Sequence, residues 1–174
     1  DDLILKNTHY ALIFNKNKKI ENPTVRVHSS CLTGDLMGSQ KCDCGYQLET
    51  ALDYMSKSKN MSILIYLNQE GRGLGIHNKI ISYNIQEKGW DTYQADNILG
   101  FSGDERDYKA AAEILKFFKV KKLNLITNNP EKVEYLKKNK ITVNKMIKIK
   151  PGVNPHNKKY LETKKIIGKH LLNL

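Results

Sequence analysis

Outside one window of 14 residues this chain has no cysteine: Cys31, Cys42 and Cys44 are the only thiols among 174 residues. Thiols confined to one short stretch point to a metal site, and three thiolates suit tetrahedral zinc. Three protein ligands leave a fourth position for water or substrate, which favours catalytic over structural zinc. The plainer alternatives are a structural zinc completed by a histidine such as His28, or three reduced thiols with no metal. No run of 18 apolar residues occurs, so no spanning helix and no membrane partner are expected. The start, Asp1-Asp2-Leu3, has neither a basic segment nor a cleavable apolar stretch, and the chain reads as soluble and cytoplasmic. It also lacks an initiator methionine, so an upstream beginning is expected. There is no internal repeat and no linker long enough to divide domains. With 40% hydrophobic content, this length fills one ordinary core, and a single domain is expected over residues 1–174.

Acidic residues are also in deficit. Against 29 Lys and Arg stand 18 Asp and Glu, a net charge of +11 that calls for an anionic partner. Nucleotide phosphates and nucleic acid both qualify. Lysine outnumbers arginine, however, and no aromatic residues interleave with the basic ones as stacking platforms would require, so no nucleic acid partner is expected. Most of the charge is scattered lysine, as on a solvated surface.

Periodicity describes an α/β domain in which short apolar runs alternate with amphipathic stretches. Val25-Arg26-Val27-His28 is a strand that delivers its end to Cys31. Leu48, Leu52 and Met55 share one face of a helix from Tyr46 to Met55, with Gln47 near its start. Ile63-Leu64-Ile65-Tyr66-Leu67 is a continuous apolar run, as in a strand buried on both faces. A loop, Asn68 to Gly75, leads to a helix from Ile76 to Lys88, which Gly89 can close. Asp107 to Lys119 is a further helix and Leu123 to Thr127 a further strand. Asn129 with Pro130 opens a helix to Asn139. Ile141 to Ile149 alternates loosely, and a last helix spans Lys158 to Leu172. The fold class is α/β, a single three-layer domain with a mixed β-sheet flanked by helices.

Three loops carry more than turns require. Gly71-Arg72-Gly73-Leu74-Gly75 is not a dinucleotide fingerprint, since its third glycine comes one residue early. Three glycines after a buried strand still allow close backbone approach to a ligand, with Arg72 as a phosphate fork. In Gly103-Asp104-Glu105-Arg106-Asp107, Asp104 reads as an N-cap and its acidic neighbours suit the helix dipole. An arginine in a first turn does not, and that misfit marks Arg106 as a functional candidate. Thr127-Asn128-Asn129-Pro130 with Lys132 serves equally as a helix cap or an anion site at a strand's end.

Together, Val25-Arg26-Val27-His28-Ser29, Cys31-Leu-Thr-Gly-Asp35, Cys42-Asp-Cys-Gly45, Gln69-Glu-Gly-Arg72, Asp104-Glu-Arg-Asp107, Thr127-Asn-Asn-Pro130 and Gly168-Lys-His-Leu171 resemble GTP cyclohydrolase II, in consistent order from about residue 24 onward. The resemblance implies GTP as substrate, opening of the guanine ring, release of formate and pyrophosphate, and the first committed step of riboflavin synthesis. It implies one zinc per subunit on Cys31, Cys42 and Cys44, with an acidified water attacking C8 of the purine. Tyr83 would assist at the base, although the helical pattern alone also allows an ordinary packing aromatic. Arg26, Val27, His28, Ser29, Ser30, Gln47, Glu70, Gly71, Arg72, Thr92, Thr127 and Lys132 match the family's GTP contacts. Magnesium would be bound mostly through the phosphates. For pyrophosphate release the family proposal makes the residue matching Arg106 a nucleophile and that matching Asp104 its proton acceptor. A guanidinium keeps its proton, so charge stabilisation is the competing role for Arg106.

A homodimer is also implied. Three departures bear on the match: Ser30 where the family usually has glutamate, Asn68 where it commonly has arginine, and a short, poorly matching segment over residues 1–23, from which an N-terminal strand is expected to be missing. Ser30 and Asn68 keep open a paralogue that binds GTP without turning it over. A member that stops at a formamidopyrimidine product is disfavoured by Tyr83, which such members are expected to have lost.

Overall fold

The computed structural model describes residues 8–17, 21–102 and 104–174. Asp1-Asp2-Leu3 and Gly103 of the polar knot lie outside the described residues. Five strands form one mixed sheet: β1 (Tyr10–Phe14), β2 (Thr24–Ser29), β3 (Ser62–Leu67), β4 (Lys122–Ile126) and β5 (Thr142–Ile147), in the spatial order β1-β3-β2-β4-β5. Strand β1 runs antiparallel to β3, and the other neighbours are parallel. An N-terminal strand is therefore present, contrary to expectation. Tyr10-Ala-Leu-Ile-Phe14 pairs along the whole of β3, from Tyr10 opposite Tyr66 to Phe14 opposite Ser62.

Side-chain alternation along the inner strands builds two apolar layers. Val25, Val27, Ile63, Ile65, Leu123 and Leu125 point to one face, where helices α4 (Lys109–Phe117) and α5 (Pro130–Lys138) cover them through Ala111, Ala112, Leu115 and Leu136. Leu64 and Ile126 point to the other face and meet Ala51 and Met55 of helix α1 (Cys44–Ser56). Gln47, Ala51 and Met55, four residues apart, form the buried stripe of α1. Helices α2 (Gly75–Glu87) and α3 (Thr92–Ile98) pack on each other, and α6 (Lys158–Ile166) precedes the C-terminal tail. The result is the expected three-layer α/β arrangement.

This connectivity fixes where a ligand can sit. The chain leaves β2 for α1 on one face and leaves the adjacent β4 for α5 on the other. Their following loops diverge and open a crevice at the carboxyl ends of the two strands, the switch point at which open α/β sheets bind ligands. The crevice holds Ser29 from the end of β2 and Thr127, Asn128 and Asn129 after β4.

Several boundaries differ from the sequence reading. Helix α4 begins at Lys109 with Tyr108 at its N-cap, so Asp104 is not a cap and Arg106 is not in a first turn. Helix α6 ends at Ile166 rather than near Leu172. Helix α3 was not anticipated, although Asp91 and Gln94 form a reciprocal capping box at its start. Asn129 does cap α5, accepting from the Glu131 N–H at 2.9 Å with Pro130 at the first position.

Ile65, fully buried on β3 between two paired strands, tests the core. Ile65→Ala is expected to lower unfolding free energy by about 2–5 kcal/mol in urea titration, with little change in the denaturant slope.

Candidate active site

Cys31 lies just past β2, Cys42 in the following loop and Cys44 at the first position of α1. Their sulfur atoms all lie within 4.8 Å of one another, with Cys31 and Cys42 Sγ 3.6 Å apart. Two glycines permit this closeness. A Cβ on Gly34 would lie 2.8 Å from Cys42 Sγ and 3.0 Å from Cys31 Sγ, and one on Gly45 would lie 2.3 Å from the Gly34 carbonyl oxygen. Hydrogen bonds from Cys42 and Cys44 drive the Cys31 thiol strongly toward thiolate. Its bond with Cys31 pushes Cys42 up to about 11, and Cys44 is raised likewise, first by Cys31. The cluster thus favours one negative charge, and ionising all three thiols calls for a cation among them. Three soft donors converging in this way fit a thiophilic metal.

His28 is not a fourth ligand. Its Nε2 lies 3.0 Å from Asp35 Oδ2 and its Nδ1 lies 3.4 Å from Arg26 Nη2. Asp35 also accepts from the Cys31 N–H at 3.0 Å and from Tyr66 Oη at 2.9 Å, so the strand and the first cysteine are tied together.

The thiols open into a cavity whose lining includes Tyr83, Glu70, Thr92 and Arg106. Tyr83, on α2, sets its hydroxyl 3.4 Å from Thr33 Oγ1, and burial raises its pKa. Ser29 and Ser30 line the same cavity, where their hydroxyls accept from the Gln69 side chain at 2.8 Å and its backbone N–H at 3.2 Å. Lys79 was missed by sequence reasoning. Its ammonium donates to Cys31 Sγ at 3.0 Å, to Thr33 Oγ1 at 2.9 Å and to Glu70 Oε1 at 2.7 Å. The signal was its spacing: Lys79 and Tyr83 are four residues apart on one helical face.

A second chamber adjoins the first, with Ser29, Cys44, Arg72, Arg106 and Tyr160 lining both. It is strongly cationic. The chain has only three arginines, Arg26, Arg72 and Arg106, and all three line this chamber. Arg26 is 5% exposed and donates to the Ile126 carbonyl at 3.2 Å and to Gln47 Oε1 at 2.8 Å. Gln47 passes the link on, donating to Asp43 Oδ2 at 2.5 Å. Arg72 pairs with Asp96 at 3.1 Å and stacks on Tyr93, 4.2 Å from the ring centroid. Its loop is left-handed at Gly71, Arg72 and Gly73, and Arg72 is itself a non-glycine residue at φ 60°. Arg106 forks onto Asp104, with Nε at 2.7 Å from Oδ1 and Nη2 on Oδ2. Burial opposes the charge on Arg106, but the Asp104 bond outweighs it and holds the guanidinium more firmly protonated than usual.

Lys132, fully enclosed, donates to the Val27 carbonyl at 2.8 Å. Burial, then Arg26, Arg106 and Lys164, push its pKa well below the ordinary lysine value. Val27 sends its side chain into the core and its carbonyl to Lys132. Thr127 Oγ1 accepts from the Asn129 N–H at 3.0 Å, so this threonine also shapes the turn it belongs to. Tyr160, Lys164 and His170 complete the wall; of these only His170 figured in the sequence reading, within Gly168-Lys-His-Leu171 and without a role.

The family model for GTP cyclohydrolase II matches residues 1–148, including the segment before Val25 that had looked dissimilar. The chain belongs to the GTP cyclohydrolase II family. It is 51% identical over 153 residues to the GTP cyclohydrolase-2 of Helicobacter acinonychis, covering 87% of this chain and 77% of that protein. It is 48% identical over 157 residues to that of Psychromonas ingrahamii (90% and 78% covered), and 46% over 158 residues to that of Blochmanniella pennsylvanica (91% and 79%). Family membership makes the chain a hydrolase, and the three thiols are its candidate metal ligands. Among the described residues, no helix is long and apolar enough to cross a membrane.

Gly34 provides a test of the thiol cluster that removes none of its three thiols. Gly34→Ala is expected to lower bound metal well below one equivalent in elemental analysis, because the added methyl must displace Cys42 Sγ or Cys31 Sγ.

Proposed function

We propose that the protein hydrolyses GTP at the imidazole ring of guanine, releasing formate and pyrophosphate and leaving a diaminopyrimidine ribosyl phosphate, the entry to riboflavin synthesis. The observation that carries this reading is the shared wall of the two chambers, where Arg72, Arg106 and Cys44 face both a thiol cluster with a tyrosine and a cationic crevice. A nucleoside triphosphate would need both at once, one for the base and one for the phosphates.

Cys31, Cys42 and Cys44 would hold zinc, which supplies a Lewis acid and an acidified water for chemistry at C8. Tyr83, kept protonated, presents a phenolic donor to the base beside the thiols. Glu70 receives the Leu32 N–H at 2.5 Å and the Lys79 ammonium, so it holds the rim of the metal loop against α2. In the second chamber Arg26 brings a guanidinium to the crevice floor, Lys132 stands there as an amine whose protonated form an anionic ligand would favour, and Arg72 offers a guanidinium at its side. Asp43, Asp96 and Asp104 are already committed to Lys164, Arg72 and Arg106. A magnesium ion would accordingly rely on phosphate oxygens for most of its ligands.

Arg106 is the residue on which pyrophosphate release turns. A guanidinium forked onto a carboxylate and held protonated is a weak nucleophile and a strong anchor for charge developing at the α-phosphate. Asp104 then orients Arg106. All these residues come from one chain, so each subunit of the homodimer expected for such an enzyme would carry a complete site.

Metal-loaded protein incubated with GTP and magnesium is expected to yield formate, pyrophosphate and a deformylated diaminopyrimidine by chromatography with mass detection. Unchanged GTP, in protein verified to contain zinc, would overturn the reading. Arg106→Lys keeps a charge but loses the fork, and is expected to reduce turnover by at least about 100-fold. Mass analysis of quenched wild-type reactions is expected to find no nucleotide attached to Arg106, whereas an adduct there would establish the covalent route instead.

A further inference from the structure

The residues matched by the family model end at 148, yet the chain beyond them closes the cationic chamber. Helix α6 brings Tyr160 and Lys164 to its wall, and the tail after α6 brings His170. Specific contacts hold this tail down. The Leu171 N–H donates to the Asn128 carbonyl at 2.9 Å, in the loop after β4, and Leu172 is 3% exposed. Gly168 sits so close to its neighbours that a Cβ there would lie 2.7 Å from the Lys164 carbonyl oxygen and 3.0 Å from Tyr93 Oη. Tyr93 is the ring on which Arg72 stacks, so the tail packs against the support of a chamber arginine.

We propose that Lys164 and His170 are phosphate-binding residues, and that the C-terminal segment is the wall of the subsite for the portion of the substrate that leaves as pyrophosphate. This rests on reading the site as one for GTP. Lys164 shares its one carboxylate partner, Asp43, with Gln47, and meets it at 3.3 Å against 2.5 Å for Gln47. Its charge is thus incompletely matched before a ligand arrives. The ring nitrogens of His170 have no hydrogen-bond partner among the described residues, and the ring faces a chamber whose other basic groups are Arg26, His28, Arg72, Arg106, Lys132 and Lys164. The acids facing these groups are Asp43, Asp96 and Asp104, each already paired. Burial, followed by the charges of Lys164, Arg106, Lys132 and Arg72, pushes the His170 imidazole down to about 2. A polyphosphate entering that field reverses its sign at the ring, so binding should draw a proton onto His170.

The test is calorimetric titration of inorganic pyrophosphate into the zinc-loaded full chain, in two buffers of different ionisation enthalpy. Lys164→Ala and His170→Ala are each expected to weaken pyrophosphate by about tenfold or more, while Lys164→Arg stays close to wild type. The wild type is expected to take up protons on binding, and His170→Ala to take up fewer. Guanosine affinity should be unchanged in all three variants, a result that mere unfolding would not give. Lys164→Ala also removes a partner of Asp43, so His170→Ala, which breaks no hydrogen bond of its ring, is the decisive variant. Wild-type affinity for pyrophosphate in His170→Ala and Lys164→Ala, or no binding to the wild type, would overturn the proposal. Because binding is read without turnover, the two readings fail separately. Tail-dependent pyrophosphate binding by a protein that leaves GTP intact would sink only the cyclohydrolase reading, and normal turnover with tail-independent binding would sink only the tail assignment.

Discussion

Burying a guanidinium on a central strand is the constraint around which this molecule is organised. Arg26 lies on β2 with parallel neighbours on both sides, where an unmatched charge would be strongly destabilising. Burial lowers its pKa, and the influences opposing this are Cys44, Asp43 and Asp35, all in or beside the thiol loop. Charge and loop therefore depend on each other. Arg26 reaches Gln47, Gln47 reaches Asp43, and Asp43 receives Lys164, a chain of contacts from the sheet through the thiol loop to the C-terminal helix. The tertiary structure brings residues from three separate stretches to a single buried polar line, and each link restricts the rotamers of the next.

The sheet supplies the frame for that line. Alternation on β2 sends Val25 and Val27 into one apolar layer, and Arg26 and His28 toward the other side, where His28 stacks on Tyr66 of β3 with ring centroids 5.5 Å apart. A strand buried on both faces would ordinarily be apolar throughout. Here Arg26 and His28 make the second face polar toward the carboxyl end of β2, where the switch point between β2 and β4 opens a crevice, so the departure from pattern coincides with the place at which topology leaves room for a ligand. Arginine, scarce in this lysine-rich chain, is concentrated at the same place.

Legibility in the sequence followed the distance over which each signal acts. The thiol cluster was readable because its ligands are neighbours in the chain, and the strands β2, β3 and β4 because apolar runs of their length have few other uses. Arg106 stood out as a misfit in a supposed first turn. The helix in fact starts later, so the residue was found for a reason the structure does not bear out. Lys79 and Lys164 were not legible, since in a chain this rich in lysine one ammonium looks like another until the fold selects it, and His170 stood in a recognised stretch, Gly168-Lys-His-Leu171, with nothing to give it a role. Strand β1 was discounted because the resemblance weakened there, although Tyr10-Ala-Leu-Ile-Phe14 has the composition of a strand. Helix α3 was overlooked despite the Asp91 and Gln94 spacing that announces it.

Arg72 stands at φ 60° and ψ 30°, a conformation in which a side chain with a Cβ costs about 1 kcal/mol relative to glycine. The neighbours on either side are glycines that take such angles freely, so the position would be more comfortable as a third one. Replacing this arginine would relieve that strain but leave the buried Asp96 carboxylate without its partner and the Tyr93 ring without its stacked guanidinium, a larger loss than the strain recovered. The strained backbone of this loop is thus held in place by the ion pair and ring contact of the very side chain that strains it.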